Sequence, residues 1–450
     1  MERTVNVSMQ QTKSRMPWKL VDHRMNASSQ PAPKPSNQGN GAAKWKTYIA
    51  LATVPMVLVL GNSMLVPILP DMEGRLAISR FQSSLIITLF SVMAGLFIPF
   101  AGYLSDRFTR KAIILPSLAV YGLAGIVAGF GALWGSYGLI IAARAVQGLG
   151  AAGTAPIAMA LVGDLYRDGN ESEALGLIEA SNGFGKVVSP ILGSLFALIV
   201  WYAPFFAFPA FCALSFIAVL WMIDEPKAKQ KPPAAGAYVS QIGHIFREKG
   251  RWLVPAFFSG ALALFILFGV LFYLSDLLEK PPYGIEGVAK GGMLAIPLLG
   301  LVVSSLTTGR ILKKKASLSR AFMNIGLLMI VITLAAAILL VNQMAWLIVL
   351  LTLSSIGTGL LLPCLNTIIT GSVDRQHRGM ITSLYSSLRF FGVAFGPPIF
   401  GWLSGRSERL LFASVAVLAL LTLGFTFWLV RPSAQGGQAG QGEPAAQRPQ

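Results

Sequence analysis

Residues 81–103 read FQSSLIITLFSVMAGLFIPFAGY, and residues 104–111 directly after them read LSDRFTRK. The first stretch stays apolar for the roughly 20 residues a helix needs to cross about 30 Å of hydrocarbon. The second turns polar and cationic, as a chain does where it leaves a bilayer. Read outward from here, the same pattern recurs along the chain. Twelve spans are expected, at 47–69, 81–103, 112–132, 138–163, 174–199, 205–223, 252–275, 288–308, 320–341, 345–370, 379–403 and 409–430. The fold class that follows is an all-α membrane protein.

Composition agrees with this reading and excludes others. With 54% hydrophobic and 12% charged residues among 450, and a mean hydropathy of +0.63, most of the chain must be solvated by lipid. The net charge of +17 invites a nucleic-acid partner, but the cations sit in short segments between apolar runs, not in an aromatic-studded stripe on one surface. Cys212 and Cys364 each lie inside an apolar run, and the three histidines, His23, His244 and His377, fall in tails or loops. No disulfide framework, metal site or cofactor is therefore expected.

Residues 1–44 are rich in Ser, Gln, Asn and Pro and are expected to be a disordered tail, as are residues 431–450. A basic, proline-containing linker at 224–251 divides the spans into six at 45–223 and six at 252–430. Cytoplasmic loops retain Lys and Arg during insertion. If both termini are cytoplasmic, 27 of the 36 basic residues fall on that side and five on the other. Arg144, Lys186, Lys290 and Arg389 remain within spans or at their edges. The halves also share a motif. Span five holds Phe184-Gly185-Lys186-Val187-Val188-Ser189-Pro190 with Gly193 beyond, and span eleven holds Phe391-Gly392-Val393-Ala394-Phe395-Gly396-Pro397 with Gly401 beyond. Gly/Pro-interrupted helices in corresponding places point to a transporter built from repeats, with its site at their interface.

The stretch Gly102-Tyr103-Leu104-Ser105-Asp106-Arg107-Phe108-Thr109-Arg110-Lys111 resembles the cytoplasmic signature of the major facilitator superfamily. The resemblance implies two pseudo-symmetric six-helix bundles, with Gly102, Asp106, Arg107 and Arg110 acting as a conformational latch. Thr109 stands where the family has glycine, and the second half offers only Gly309-Arg310-Ile311-Leu312-Lys313-Lys314-Lys315, without the aspartate. The latch is therefore expected mainly in the first half. In span four, Arg144-Ala145-Val146-Gln147-Gly148-Leu149-Gly150 resembles the arginine motif of proton-linked members. An arginine at that depth marks either a functional site or a buried, paired structural cation. Gly185 to Ser194 resembles the antiporter signature of drug:proton exporters, with Ser189 and Ser194 replacing two glycines. Gly176 to Lys186 resembles a bacterial subgroup of multidrug and siderophore exporters.

Among the 19 acidic residues, Glu179 lies well inside a span. With Asn182 and Lys186 it follows i, i+3, i+7 spacing on one helix face. Two roles suit it, proton exchange or a static pairing with Lys186 or Arg144. Many exporters of this kind carry an acid in helix one, where this chain has Asn62. The proton would then ride on Glu179 or Asp164, tuned by Arg144. The cavity is expected to draw on spans one, four, seven and ten, with Asn62, Gln147, Asn182, Lys186, Asn366 and Arg389 as polar contacts and Phe265 and Phe268 as apolar ones. Gly185, Pro190, Gly193, Gly392, Gly396 and Pro397 would form the moving seam. The expected protein is not an enzyme but a monomeric, multi-pass transporter of a bacterial plasma membrane, driven by the proton gradient. It would export amphipathic small molecules. Import on the same fold and a non-transporting membrane sensor are the alternatives.

Overall fold

The computed structural model describes residues 41–165, 169–225, 235–371 and 375–430. The expectations for the two tails, residues 41–44 aside, and for 226–234 of the linker lie outside these. Every described element is helical. The compact unit begins at Trp45. In order, the α-helices are α1 (Gly41–Ser63), α2 (Leu69–Leu76), α3 (Arg80–Arg107), α4 (Arg110–Leu133), α5 (Tyr137–Ala152), α6 (Ala155–Leu165) and α7 (Gly169–Ala197). They continue with α8 (Ala203–Met222), α9 (Ala235–Glu279), α10 (Gly287–Lys314), α11 (Ser319–Leu340), α12 (Met344–Gly371), α13 (Arg375–Ser404) and α14 (Glu408–Leu429).

Local chemistry sets the boundaries. Ser79 and Gln82 form a reciprocal capping box at the start of α3, with the Gln82 N–H donating to Ser79 Oγ at 3.2 Å and the Ser79 N–H to Gln82 Oε1 at 2.8 Å. Thr109, the departure from the family glycine, caps α4 by accepting from the Ala112 N–H at 3.2 Å. Span one is not a single helix. Pro67 and Pro70 lack the N–H that would continue α1, so a 3₁₀ turn at Val66–Ile68 leads into α2. Span four likewise breaks at Gly153 and Thr154 into α5 and α6, because Pro156 has no donor for the preceding turn.

The linker expected at 224–251 is helical over its described C-terminal part. From Ala235 the chain is already helical, and α9 runs without a break to Glu279. At 1.5 Å per residue its 45 residues extend about 68 Å, roughly twice the hydrocarbon thickness.

Ten helical segments among the described residues are long and apolar enough to cross a membrane. The two remaining helices of spanning length are α7 and α13, spans five and eleven. Both carry charged residues in mid-sequence, Glu179 and Lys186 on one and Arg389 on the other. Such helices are stable in a bilayer only if neighbours or a wet cavity cover the charges. Outward faces elsewhere are apolar, with Leu123, Leu214, Ile332, Leu339 and Leu421 exposed as lipid contacts.

Packing repeats between the first and second sets of helices. α4 packs on α5 and α8 as α11 packs on α12 and α14, and α3 packs on α5 as α10 packs on α12. Across the two sets, α3 meets α13 and α7 meets α10. These cross-contacts are the same pairing with roles exchanged, as a pseudo-twofold relation requires.

Candidate functional site

Where the two sets meet, a cavity opens with about 840 Å³ of atom-free space, its mouth included. α1 contributes Leu58, Val59 and Asn62, α3 Phe90, α6 Pro156 and Met159, and α7 Asn182 and Lys186. α9 adds Leu264 and Phe268, while α13 adds Ser386, Arg389, Phe390 and Val393. The walls are mostly apolar with a few fixed polar groups, the usual make-up of a small-molecule site. Of the expected contacts, Asn62, Asn182, Lys186, Arg389 and Phe268 border it. Asn366 does not. The packing face of α12 is set by buried Cys364, Leu365, Ile368 and Ile369, and Asn366 lies off that face and exposed. Span ten is thus replaced in the lining by α7 and α13. Phe265 is also turned away, packed edge-on against Phe400 at 5.5 Å.

Arg144 sits directly behind the cavity wall and is fully buried. Its Nε donates to the Ile86 carbonyl at 2.9 Å, Nη2 to Asn62 Oδ1 at 2.9 Å, and Nη1 to Gln147 Oε1 at 2.6 Å and the Gly61 carbonyl at 3.3 Å. The Phe90 ring covers the guanidinium at 4.3 Å. Every acceptor is neutral. A buried cation is tolerated here because its donors are met in a fixed fork and its face lies on an aromatic ring. Asn62 and Gln147, expected as separate cavity contacts, instead join Arg144 in one network. Gln147 is fully buried and does not reach the cavity, and its Nε2 donates to the Tyr121 carbonyl at 3.4 Å.

Lys186 and Arg389 are different. Each is half-buried at the cavity, and neither makes an ion pair within 4 Å among the described residues. The charged groups that act on Lys186 are Glu179 and Arg389. Arg389 stacks over Tyr385 at 5.5 Å, and its buried Nε has no acceptor. Glu179 is half-buried but outside the lining, and no ion pair joins it to Lys186 or to Arg144.

The chain matches the Major Facilitator Superfamily over residues 51–332 and 293–449. It belongs to that superfamily. It is 45% identical over 390 residues to the bacillibactin exporter of Bacillus subtilis (strain 168), covering 86% of this chain and 96% of that one. It is 28% identical to the multidrug efflux protein YfmO of the same organism, over 80% and 86% of the two chains. A solved bacterial homologue of the human lysosomal transporter Spinster, inward-facing and unoccupied, superposes with a TM-score of 0.71 at 16% identity, covering 88% and 98%. This major facilitator chain is a membrane transporter of small molecules and not an enzyme.

The signature at 102–111 forms a charge cluster remote from the cavity. Arg110 bridges Asp106 and Asp164, donating to Asp164 Oδ2 at 2.8 Å and to Ser105 Oγ at 2.6 Å. Asp164, one of the expected proton sites, therefore lies in the latch cluster and not at the cavity. Arg107 is exposed. The N-terminus of α4 is capped from a distance by Glu225, whose two carboxylate oxygens each accept at 2.7 Å, from the Arg110 and Lys111 N–H groups. A carboxylate at a helix N-terminus satisfies free donors and opposes the helix dipole. Nothing local in the sequence announces this contact across 115 positions.

Glycines set the seams of the superfamily fold. A Cβ at Gly193 would lie 2.1 Å from the Met64 carbonyl oxygen, and one at Gly392 would lie 2.0 Å from that of Ala261. Gly396 is pressed against the Phe265 carbonyl in the same way, whereas its counterpart Ser189 donates to the Leu60 carbonyl at 3.3 Å. Gly102 abuts the Ser383 hydroxyl, and Gly148 abuts the Phe90 carbonyl. At Gly185 a methyl would make only ordinary contact with Met56. Pro190 and Pro397 lie inside α7 and α13, each next to the residue that meets the neighbouring backbone.

At the end of the bundle opposite the signature, the two sets are tied mainly by residues outside the motifs. Arg80 on α3 and Asp276 on α9 form an ion pair at 2.8 Å, and Lys280 joins the same carboxylate at 2.8 Å. Ser275 Oγ donates to the Val66 carbonyl at 2.9 Å, and Thr88 Oγ1 to that of Ala394 at 2.7 Å. This end is closed.

Proposed function

We propose that this chain exports an amphipathic small molecule, a siderophore or drug-like compound, from a bacterial cytoplasm by proton antiport. Both termini would be cytoplasmic, the latch cluster would face the cytoplasm, and the two six-helix halves would rock about the cavity. One observation carries the reading. The near full-length likeness to a bacillibactin exporter coincides with a cavity enclosed by paired helices of both halves. Glu179 takes the proton in this scheme, and Arg144 fixes the wall through Asn62.

The test is twofold. Deletion of the gene should lower siderophore in the medium and raise it in the cells, or sensitise the cells to compounds in a toxic panel. In proteoliposomes, substrate-dependent proton movement should be lost in Glu179→Gln, with the variant still folded and still binding substrate. Unchanged proton coupling in that variant removes Glu179 from the role.

A further inference from the structure

The cavity carries cations from both halves and no carboxylate among its lining residues. Lys186 projects from α7 of the first half, and Arg389 from α13 of the second. The carboxylate acting on Lys186, Glu179, is seven residues away on the same helix, about 10 Å along the axis. Arg144 shows how this protein accommodates a structural cation, with every donor arm met and an aromatic cover. Lys186 has no ion pair among the described residues, and Arg389 has an aromatic cover in Tyr385 but not the met donor arms. The Arg389 Nε and the neighbouring Tyr385 hydroxyl are both buried without hydrogen-bond partners. Two like charges at a common apolar cavity, one of them with a buried donor unmet, are stabilised by an anion between them.

We propose that Lys186 and Arg389 together bind the anionic group of the transported molecule, a carboxylate, phenolate or similar oxyanion on an aromatic or apolar body. The assignment rests on the export reading of the same cavity. Phe90, Phe268 and Phe390 receive the body, and Asn62, Asn182 and Ser386 offer neutral hydrogen bonds around it. Because the cations belong to different halves, a bound oxyanion ties the halves together, and release requires one contact to break. Lipophilic cations are disfavoured at such a site.

The experiment uses the purified full-length protein and radiolabelled salicylate in equilibrium dialysis, with neutral salicylamide and cationic tetraphenylphosphonium as competitors. Salicylate should bind, unlabelled salicylate should displace it, and the neutral and cationic competitors should not. Lys186→Gln and Arg389→Gln should each weaken binding at least tenfold, whereas Lys186→Arg and Arg389→Lys should stay within about threefold of the parent. Circular dichroism and a monodisperse elution profile check that each variant is folded. Absence of salicylate binding to the parent, or equal binding by the glutamine variants, overturns the anion site. A separate assay of bacillibactin efflux from proteoliposomes addresses the export reading. Salicylate binding without any efflux would sink that reading and leave the anion site standing.

Discussion

At the residue scale, the distinction between Arg144 and the pair Lys186 and Arg389 governs what each substitution does. Removing the Arg144 side chain strands the acceptors on Asn62, Gln147, Ile86 and Gly61. Arg144→Ala is expected to cost about 3 kcal/mol of stability. Arg144→Lys should fall between the two, because an ammonium has three donors and no planar face for Phe90. A thermal-unfolding series in detergent orders the three proteins. Asn62→Asp replaces the amide that accepts from Arg144 at 2.9 Å with a carboxylate. Its unfolding midpoint should hold or rise, since the new charge has a partner, while salicylate affinity should drop because Asn62 borders the cavity. An unchanged affinity would argue that the anion sits elsewhere.

Much of this was legible in the sequence as separate facts. Arg144, Asn62, Gln147, Lys186 and Arg389 all stand out as polar groups within apolar runs. What sequence spacing withholds is which of them meet, because Asn62 and Arg144 are 82 positions apart and come together only when α1 packs beside α5. Asn366 was misplaced for a related reason. A polar residue in a span indicates a face that avoids lipid, yet only the packing partners of α12 decide which face that is. Arg80 and Asp276 stayed hidden because both lie near helix ends, where charges are ordinary.

At the element scale, the seams depend on glycine where backbone meets backbone. Gly392→Ala would drive a methyl into the Ala261 carbonyl, at an expected cost of about 1 to 3 kcal/mol. Gly309→Ala meets nothing within 4 Å and should be neutral or stabilising by up to about 1 kcal/mol. Fluorescence-detected melting of the two variants tests the contrast, and equal midpoints would refute it. Helix boundaries followed prolines and caps more than hydropathy. Pro67, Pro70 and Pro156 split runs that look continuous by apolar length alone, and the polar start of α9 reads as a linker because charged residues conceal its helical continuity with the span.

At the scale of the whole molecule, the Arg80–Asp276 pair is, among the described residues, the ion pair that crosses between halves at the end opposite the signature. Solvent-exposed pairs contribute up to about 1 kcal/mol and this one is largely buried, so Asp276→Asn should shift the balance toward opening at that end by about fivefold or more. Cys212 and Cys364 are buried, so a cysteine at Phe268 reports accessibility with little background. Labelling of Phe268→Cys by a membrane-impermeant maleimide in intact cells should rise several-fold when Asp276→Asn is added. No rise would mean that the apolar contacts and hydroxyl bonds alone hold the seal.

Energetics at this scale also follow from the proposed anion site. A proton moving inward and an anion moving outward both carry positive charge into the cell, so an inside-negative potential adds about 2.3 kcal/mol per charge per 100 mV. Valinomycin-imposed potentials in proteoliposomes should accelerate efflux, and reversing their sign should slow it.

The uninterrupted length of α9 carries a mechanical corollary. A rod of 45 residues that packs along α13 and α12 turns a small tilt within the bilayer into a large sweep outside it. Pivoting by about 10° around its midpoint displaces each tip by about 6 Å. A spectroscopic probe at Gly243, where added bulk meets no neighbour, would serve as the needle of a gauge, registering from the aqueous phase a swing that begins beside the cavity.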